Sequence, residues 1–304
     1  MRNTNTVRFP AVTPLAALLA VSLTACQGAD ASKISQEAQT AAPQRSYDPS
    51  KLSCNPFGGG APIYYNQGLN AQLYYLRDGQ PNYSNVNDMI ANGTHLDVDL
   101  FFSDVNVPTR LFSQGFPSQA GPLLRTAEDR VLVEWFALRY KSVVRLGPND
   151  RAGQYQFAIL ADDGAMLRAD LSGNGIYQDV VNDDGLHPSK VACAPHSVRM
   201  DSSTQMPIQL DYYQGPRYHI ANILMWREVD SSVDEATHPE VLADAACGVA
   251  GNDTWFNFNV TPTVPRDPFI QMLNRGWKVM SADNFLLPYE APVNPCCTTC
   301  GLGV

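Results

Sequence analysis

The sequence predicts an all-β protein, an antiparallel β-sandwich with short helices and a disulfide-pinned C-terminal extension. Three observations point there. Apolar and polar residues alternate with a period of two in several short stretches between about Val131 and Val229. Clusters of Gly, Asp, Asn and Pro separate those stretches, and long helical patterns are few. With 304 residues, 44 % of them apolar and 10 % aromatic, the chain has enough material to bury two facing layers.

The elements follow in order. Leu132 to Val144 is aromatic and β-branched, as strands prefer. Tyr155, Phe157 and Ile159 alternate with Gln154, Gln156 and Ala158, the pattern of a strand with one face in a core. Ala161-Asp162-Asp163-Gly164 reads as a turn, and Ala165 to Asp170 continues as a strand, so 154–170 is predicted to be a hairpin with two acidic residues at its tip. Ile208, Leu210 and Tyr212 alternate again, and Ile220 to Trp226 is an apolar run short enough for a strand buried on both faces. Beyond Val229 the pattern changes. A short helix is expected from about His238 to Ala246, and Asp267-Pro268 reads as an N-cap followed by Pro at the first helical position, with Phe269, Met272, Leu273 and Trp277 near helical spacing. Trp255, Phe256 and Phe258 suit either a core or a binding platform.

These residues resemble a known family, the protective-antigen fourteen-kilodalton (PA-fourteen) domain, a lectin-like jelly-roll sandwich. The resemblance runs over roughly residues 63–229. It is carried by Phe136-Ala137-Leu138-Arg139-Tyr140 and above all by Gly153-Gln154-Tyr155-Gln156-Phe157-Ala158-Ile159-Leu160-Ala161-Asp162-Asp163-Gly164-Ala165-Met166-Leu167. Ile208 to Tyr213 and Ile223-Leu224-Met225-Trp226 are similar to two later strands of the family, and Gly68 to Tyr75 is similar to its first. Ala161 stands where the family more often has Ser, and the stretch from Cys193 to Asp201 has no counterpart that can be aligned. The resemblance implies that Asp162 and Asp163, often joined by a cis peptide in sugar-binding members, coordinate one Ca²⁺ that in turn holds sugar hydroxyls. The chemistry is sound, because Ca²⁺ takes six to eight oxygen ligands and leaves positions open to vicinal hydroxyls. The plain alternative is a polar turn, since Asp and Gly are what tight turns use.

A second acidic run, Asp170-Leu171-Ser172-Gly173-Asn174-Gly175, places side-chain oxygens at positions 1, 3 and 5 and Gly at 6, as a calcium loop begins. Val181 at position 12 excludes an EF-hand, leaving Asp170, Ser172 and Asn174 with Asp184 as a weaker candidate set, or an Asx-turned loop that needs no metal.

The N-terminus addresses the cell envelope. Arg2 and Arg8 precede an apolar stretch from Ala11 to Leu23, thirteen residues and too short to span a bilayer. Leu23-Thr24-Ala25-Cys26 resembles a bacterial lipobox, which implies a signal peptide at 1–25, acylation of Cys26 and anchoring to a membrane. Gln27 in place of an aspartate implies the outer membrane if the host is didermal. Residues 26–62 then form the lipidated N-terminus and a tether rich in Ala, Gln and Ser, with the folded body from about Ile63; 63–229 form the sandwich and 230–304 the extension.

Six cysteines remain, Cys54, Cys193, Cys247, Cys296, Cys297 and Cys300, an even number that fits up to three disulfides in an oxidising compartment. Cys297 and Cys300 form a CxxC, for which a structural disulfide is expected over redox catalysis, since no βαβ pattern precedes it. A zinc site from Cys193, His196 and this cluster is a further, weaker reading.

Net charge narrows the partners. At −9, or −11 for the mature chain with 19 basic residues against 30 acidic, nucleic acid is excluded as a partner. G-x-S-x-G, H-E-x-x-H and P-loop motifs are lacking, so no enzyme is expected. The sequence therefore reads as a lipid-anchored module for calcium-assisted glycan recognition. The alternatives are an adhesion or scaffold module that contacts a surface protein without sugar or metal, and, third, a hydrolase of envelope polysaccharide.

Overall fold

The structure, a computed structural model, describes residues 46–62, 64–291 and 293–298. The signal-like segment, Cys26, most of the proposed tether and Cys300 lie outside the described residues.

Two sheets face each other. The strands of the front sheet are β1 (Leu52–Cys54), β2 (Leu69–Tyr75), β3 (Thr94–Phe102), β5 (Phe136–Val144), β7 (Ala165–Ala169), β8 (Gln178–Asp183), β11 (Met206–Gln214) and β16 (Phe285–Leu286). They lie in the order β1-β3-β2-β5-β11-β7-β8, with β16 on the end of β5. The back sheet holds β4 (Asn106–Leu111), β6 (Gly153–Asp162), β9 (Lys190–Cys193), β10 (Val198–Met200), β12 (His219–Val229) and β15 (Lys278–Val279). Its centre is the β6–β12 pair, flanked by β9 and β10 on one side and by β4 and β15 on the other. A small ribbon, β13 (Phe256–Asn257) with β14 (Val264–Pro265), lies apart. Among the described residues β1 with β3 is the one parallel pair, so the sandwich is antiparallel as expected.

The alternation seen in the sequence decides the faces. Leu138 and Tyr140 of β5, Ile208, Leu210 and Tyr212 of β11, and Tyr155, Phe157 and Ile159 of β6 all point into one core between the sheets. The intervening residues of β6 and β12 are also buried, because Ala158, Leu160, Ala221, Ile223 and Met225 meet a second layer made of Trp255, Phe256, Phe269, Met272 and Trp277. This is why β6 reads as almost continuously apolar. Helix α1 (Val86–Asn92) covers part of the front sheet, placing Val86, Met89 and Ile90 against Ala137, Met166 and Tyr213.

Several expectations change. The 154–170 hairpin does not form: β6 pairs with β12, β9 and β10 in the back sheet, whereas β7 pairs with β11 and β8 in the front one. Asp162 and Asp163 therefore sit on a crossover between sheets. A period of two reports which side chains share a face, and it carries no information on which strand is the neighbour. Order also begins before Ile63: β1 pairs with β3, and Phe57 lies in the main core. Residues 230–304 are more than a pinned appendage, since Met280 and Phe285 enter the main core and β15 and β16 extend both sheets. The helix expected at 238–246 is one 3₁₀ turn, Pro239–Leu242. The later helices are α2 (Asn252–Trp255) and α3 (Asp267–Asn274), the latter capped by Arg266, one residue earlier than expected. Trp255 and Phe256 are core, and the half-buried Phe258 packs on His219 with ring centroids 4.5 Å apart.

Cys54 is bonded to Cys296 and Cys193 to Cys247, and Cys297 is disulfide-bonded as well. Sulfurs held in disulfides do not ligate zinc, so the zinc reading falls. The unalignable stretch from Cys193 to Asp201 supplies the end of β9 and all of β10 along the edge of β6.

Register also defines two ends. Tyr75, Phe136, Gln214, Ala165 and Asp183 lie at the upper end of the front sheet, and Val144, Met206, Ala169 and Gln178 at the lower end. The nine residues of β5 between them span about 26 Å at about 3.3 Å per residue.

Candidate functional site

The crossover at the upper end buries two adjacent carboxylates. Asp162 closes β6 and Asp163 follows it through a cis peptide, as the resemblance implies. Both are buried, at 5 % and 6 % exposure. Oδ2 of Asp162 accepts hydrogen bonds from the Ser189 backbone N–H and from Ser189 Oγ, both at 3.0 Å. The Tyr212 hydroxyl donates to the Asp162 carbonyl oxygen at 2.5 Å. Asp163 accepts from the His187 N–H at 3.2 Å through Oδ1 and from the Gly215 N–H at 2.8 Å through Oδ2. Asp162 Oδ1 has no hydrogen-bond partner among the described residues.

Electrostatics follow from this packing. Burial first and the Asp163 charge second push the Asp162 carboxyl up to about 7, against the pull of the Ser189 hydrogen bonds. Burial raises Asp163 as well, opposed by the Gly215 and His187 N–H groups. Two like charges held this close out of water favour either a proton or a cation between them.

Glycine at 164 has a steric cause. A Cβ there would stand 2.5 Å from Tyr213 Cε1, 2.8 Å from the Gly185 nitrogen and 2.9 Å from Asp184 Oδ1. Gly215 is constrained in the same way by Leu186 Cδ2 at 2.6 Å and Asp163 Oδ2 at 2.8 Å.

The loop after β8 closes over the pair. The loop supplies His187 and Ser189, and Asp183 at the end of β8 is fully buried on its side chain, with Lys190 Nζ at 2.7 Å and His187 Nε2 at 3.4 Å. Asp184 accepts from the Val86 N–H at 2.8 Å and so ties this loop to the start of α1. Asn252 accepts from the Ser189 N–H at 2.7 Å and also contacts His219 Nδ1 at 3.0 Å. Sequence reasoning does not assign Ser189, His187, Gly215, Tyr212 or Asn252 to the site, and no local motif marks them, because the first four reach the pair, and Asn252 reaches Ser189, from distant parts of the chain.

The second candidate set separates. Asp184 lies beside Gly164 at the upper end, whereas Asp170, Ser172 and Asn174 lie at the lower end, on the far side of β7. Asp170 spends its carboxylate on its own loop, accepting from Asn174 N–H at 3.1 Å and Gly175 N–H at 2.7 Å. The Gly175 N–H, foremost among several, holds the Asp170 carboxyl below its ordinary value. Asn174 Oδ1 accepts from the Ile176 N–H at 2.9 Å, a further Asx turn. Among the described residues, no three His, Cys, Asp or Glu side chains gather as a ready-made metal cluster.

The paired aspartates lie at a crossover between two facing sheets and are joined by a cis peptide, as the resemblance implies. The fold is a two-sheet antiparallel sandwich of the kind the resemblance implies. No family model matches the chain, and the search of curated proteins finds no match. Solved structures do match. The PA14 sugar-binding domain from an RTX adhesin is similar at 19 % identity over 54 % of this chain and 90 % of that one, with a TM-score of 0.39. The PA14 domain of the MpAFP antifreeze protein is similar at 16 % identity over 58 % and 89 %, TM-score 0.36. The epithelial adhesin 6 A domain from Candida glabrata, solved in complex with Galb1-3GlcNAc, is similar at 16 % identity over 62 % and 88 %, TM-score 0.34.

Proposed function

We propose that this PA14-like sandwich is a carbohydrate-recognition module of the adhesin type, that Asp162 and Asp163 hold one Ca²⁺ through which it grips a glycan, and that the chain is lipid-anchored to the cell envelope through Cys26. The observation that carries the reading is the open Oδ1 of Asp162 in a buried pair of carboxylates. Such a pair fits a hard cation. Its carboxylates supply the charge, Asp162 Oδ1 is open, and each Asp163 oxygen, accepting one N–H, keeps a second lone pair. With two carboxylates as the protein's charged contribution, the remaining positions would fall to backbone, water and ligand oxygens, which is the condition for binding vicinal hydroxyls. Calcium supplies that hydroxyl contact. The protein's own part is to orient the pair: Ser189, His187 and Gly215 fix the two carboxyl planes, and Tyr212 fixes the carbonyl between them. The role is binding, not catalysis.

Isothermal calorimetry of the protein with Ca²⁺, beside the Asp162→Asn/Asp163→Asn variant, tests the reading. Saturable binding lost in the variant is expected, followed by calcium-dependent hits on a glycan array. Heat-silent wild type would overturn the metal site and leave a module that contacts a protein.

A further inference from the structure

Ser189 grips Asp162, and its own place is set by residues that come later in the chain. The serine is fully buried, and each of its polar atoms is engaged. Its N–H is shared between Asp162 Oδ2 at 3.0 Å and Asn252 Oδ1 at 2.7 Å. Its Oγ donates to Asp162 Oδ2 at 3.0 Å and accepts from the Thr109 hydroxyl at 2.9 Å. Its carbonyl accepts from the Gly251 N–H at 2.9 Å and from the Trp255 indole N–H at 3.3 Å. Apart from Asp162 itself and Thr109, these partners all belong to one short segment, Gly251 to Trp255, which lies beyond the stretch that carries the resemblance.

Backbone pairing and packing hold that segment in place. The chain before it runs beside β9: the Gly248 N–H donates to the Val191 carbonyl at 2.7 Å, the Val191 N–H donates to the Val249 carbonyl at 3.2 Å, and Lys190 bridges to Ala250. The Cys193–Cys247 disulfide closes the far end of this pairing. Trp255, 1 % exposed, is buried with Val191, Phe256 and Met272, so its ring anchors α2. Asn252 stands three residues earlier, on the same face of that turn. The direction of its amide follows from donor chemistry. A backbone N–H only donates, so the Asn252 atom facing Ser189 is the oxygen, and Nδ2 faces His219 Nδ1 at 3.0 Å, which accepts as the bare nitrogen of a neutral imidazole.

We propose that Asn252 and Trp255 are positioning residues for Asp162: they hold Ser189 by its N–H and its carbonyl, and Ser189 so held fixes the Asp162 carboxylate with Oδ1 left open. A carboxylate aimed before a cation arrives loses little freedom on binding, which is how groups behind a metal ligand raise affinity without touching the metal. The benefit to Ca²⁺ rests on the calcium reading above. The segment that follows the sandwich thereby becomes part of the site's machinery.

The test is magnetic resonance of the full chain with isotope-labelled aspartate, first without calcium. Three-bond couplings from Asp162 Cγ to its own N and C′ report the χ1 rotamer, and the wild type should show one staggered rotamer. Asn252→Leu keeps the shape and removes the acceptor. Trp255→Phe keeps a buried ring and removes the N–H. Each should move the couplings toward rotamer averages, and if Asn252→Leu does not fold, Trp255→Phe decides. Cys54→Ser/Cys296→Ser loosens the opposite end of the fold and should leave the couplings at their wild-type values. Unchanged couplings in Asn252→Leu and Trp255→Phe overturn the proposal. So does equal averaging in the disulfide variant, which would mean general loosening. Calorimetry then reads the consequence: Ca²⁺ affinity should fall about tenfold in Asn252→Leu and stay within about twofold in the disulfide variant. If the wild type gives no heat with Ca²⁺, the calcium reading fails, and the couplings still decide whether Asn252 and Trp255 position Asp162.

Discussion

Asp162 is the residue on which the chemistry turns, and its ionisation is linked to folding. Its carboxyl titrates near 7 in the folded protein, against 3.8 as the ordinary value, because burial and Asp163 disfavour the charge. The folded state therefore binds the proton more tightly than the unfolded one. That contribution to stability is fully present below about pH 4 and is lost as pH rises to about 7. Without calcium, the melting temperature should be higher at pH 5 than at pH 7.5. Ca²⁺ should remove the difference by neutralising the pair, and Asp162→Asn should flatten the slope. A wild-type melting temperature that does not change over this range would mean that Asp162 is ionised throughout. The pair itself was legible in the sequence because its Asp-Asp-Gly motif is local. Its surroundings were not, because Ser189, Gly215 and Tyr212 reach it through tertiary packing.

At the scale of elements, the least expected result is the layer that follows Val229. It covers the back sheet with Trp255, Phe269, Met272 and Trp277, and Asp244 fastens it. The Asp244 carboxylate pairs with Arg275 at 2.7 Å, takes the Trp277 indole N–H at 3.1 Å and lies 3.5 Å from Arg227. Burial opposes the charge, but the Arg275 and Ala246 hydrogen bonds and the Trp277 indole outweigh it and hold Asp244 at about 2. The stability it confers is present above about pH 4 and lost as pH falls toward 2. Asp244→Asn leaves two arginines facing a neutral amide and should lower stability by about 3 kcal/mol, read as a shift of the urea midpoint. Faster hydrogen exchange should be confined to residues 255–277. An unchanged midpoint would make the layer independent of this clamp. The aromatic content of this layer was visible in the sequence. Its docking site was not, because nothing in a 3.6-residue pattern names the sheet that a helix will cover.

For the molecule as a whole, the Cys54–Cys296 bond joins residues 242 apart and Cys193–Cys247 residues 54 apart. Closing the longer loop removes more unfolded-state freedom. Cys54→Ser/Cys296→Ser should therefore cost about 1 kcal/mol more than Cys193→Ser/Cys247→Ser, within a range of about 2–5 kcal/mol for each. Paired urea titrations compare them, and a larger loss at the shorter loop would show that native-state packing, not loop closure, dominates. The same long bond ties the chain's entry point to its last described strand region, at the end opposite Asp162 and Asp163.

The sequence by itself determined the sandwich class, the inward-facing residues of β6 and β11, and the Asp162–Asp163 pair, because alternation and short motifs are local and survive being read one residue at a time. Only the tertiary structure decided that β6 and β7 belong to different sheets, that Asp184 lies at the same end as the pair while Asp170 lies at the opposite one, and which cysteines meet. Strand partnership, burial from both sides and disulfide pairing depend on contacts between segments far apart in the chain. Such contacts are chosen by the lowest free energy of the whole fold, and no single stretch of sequence records them.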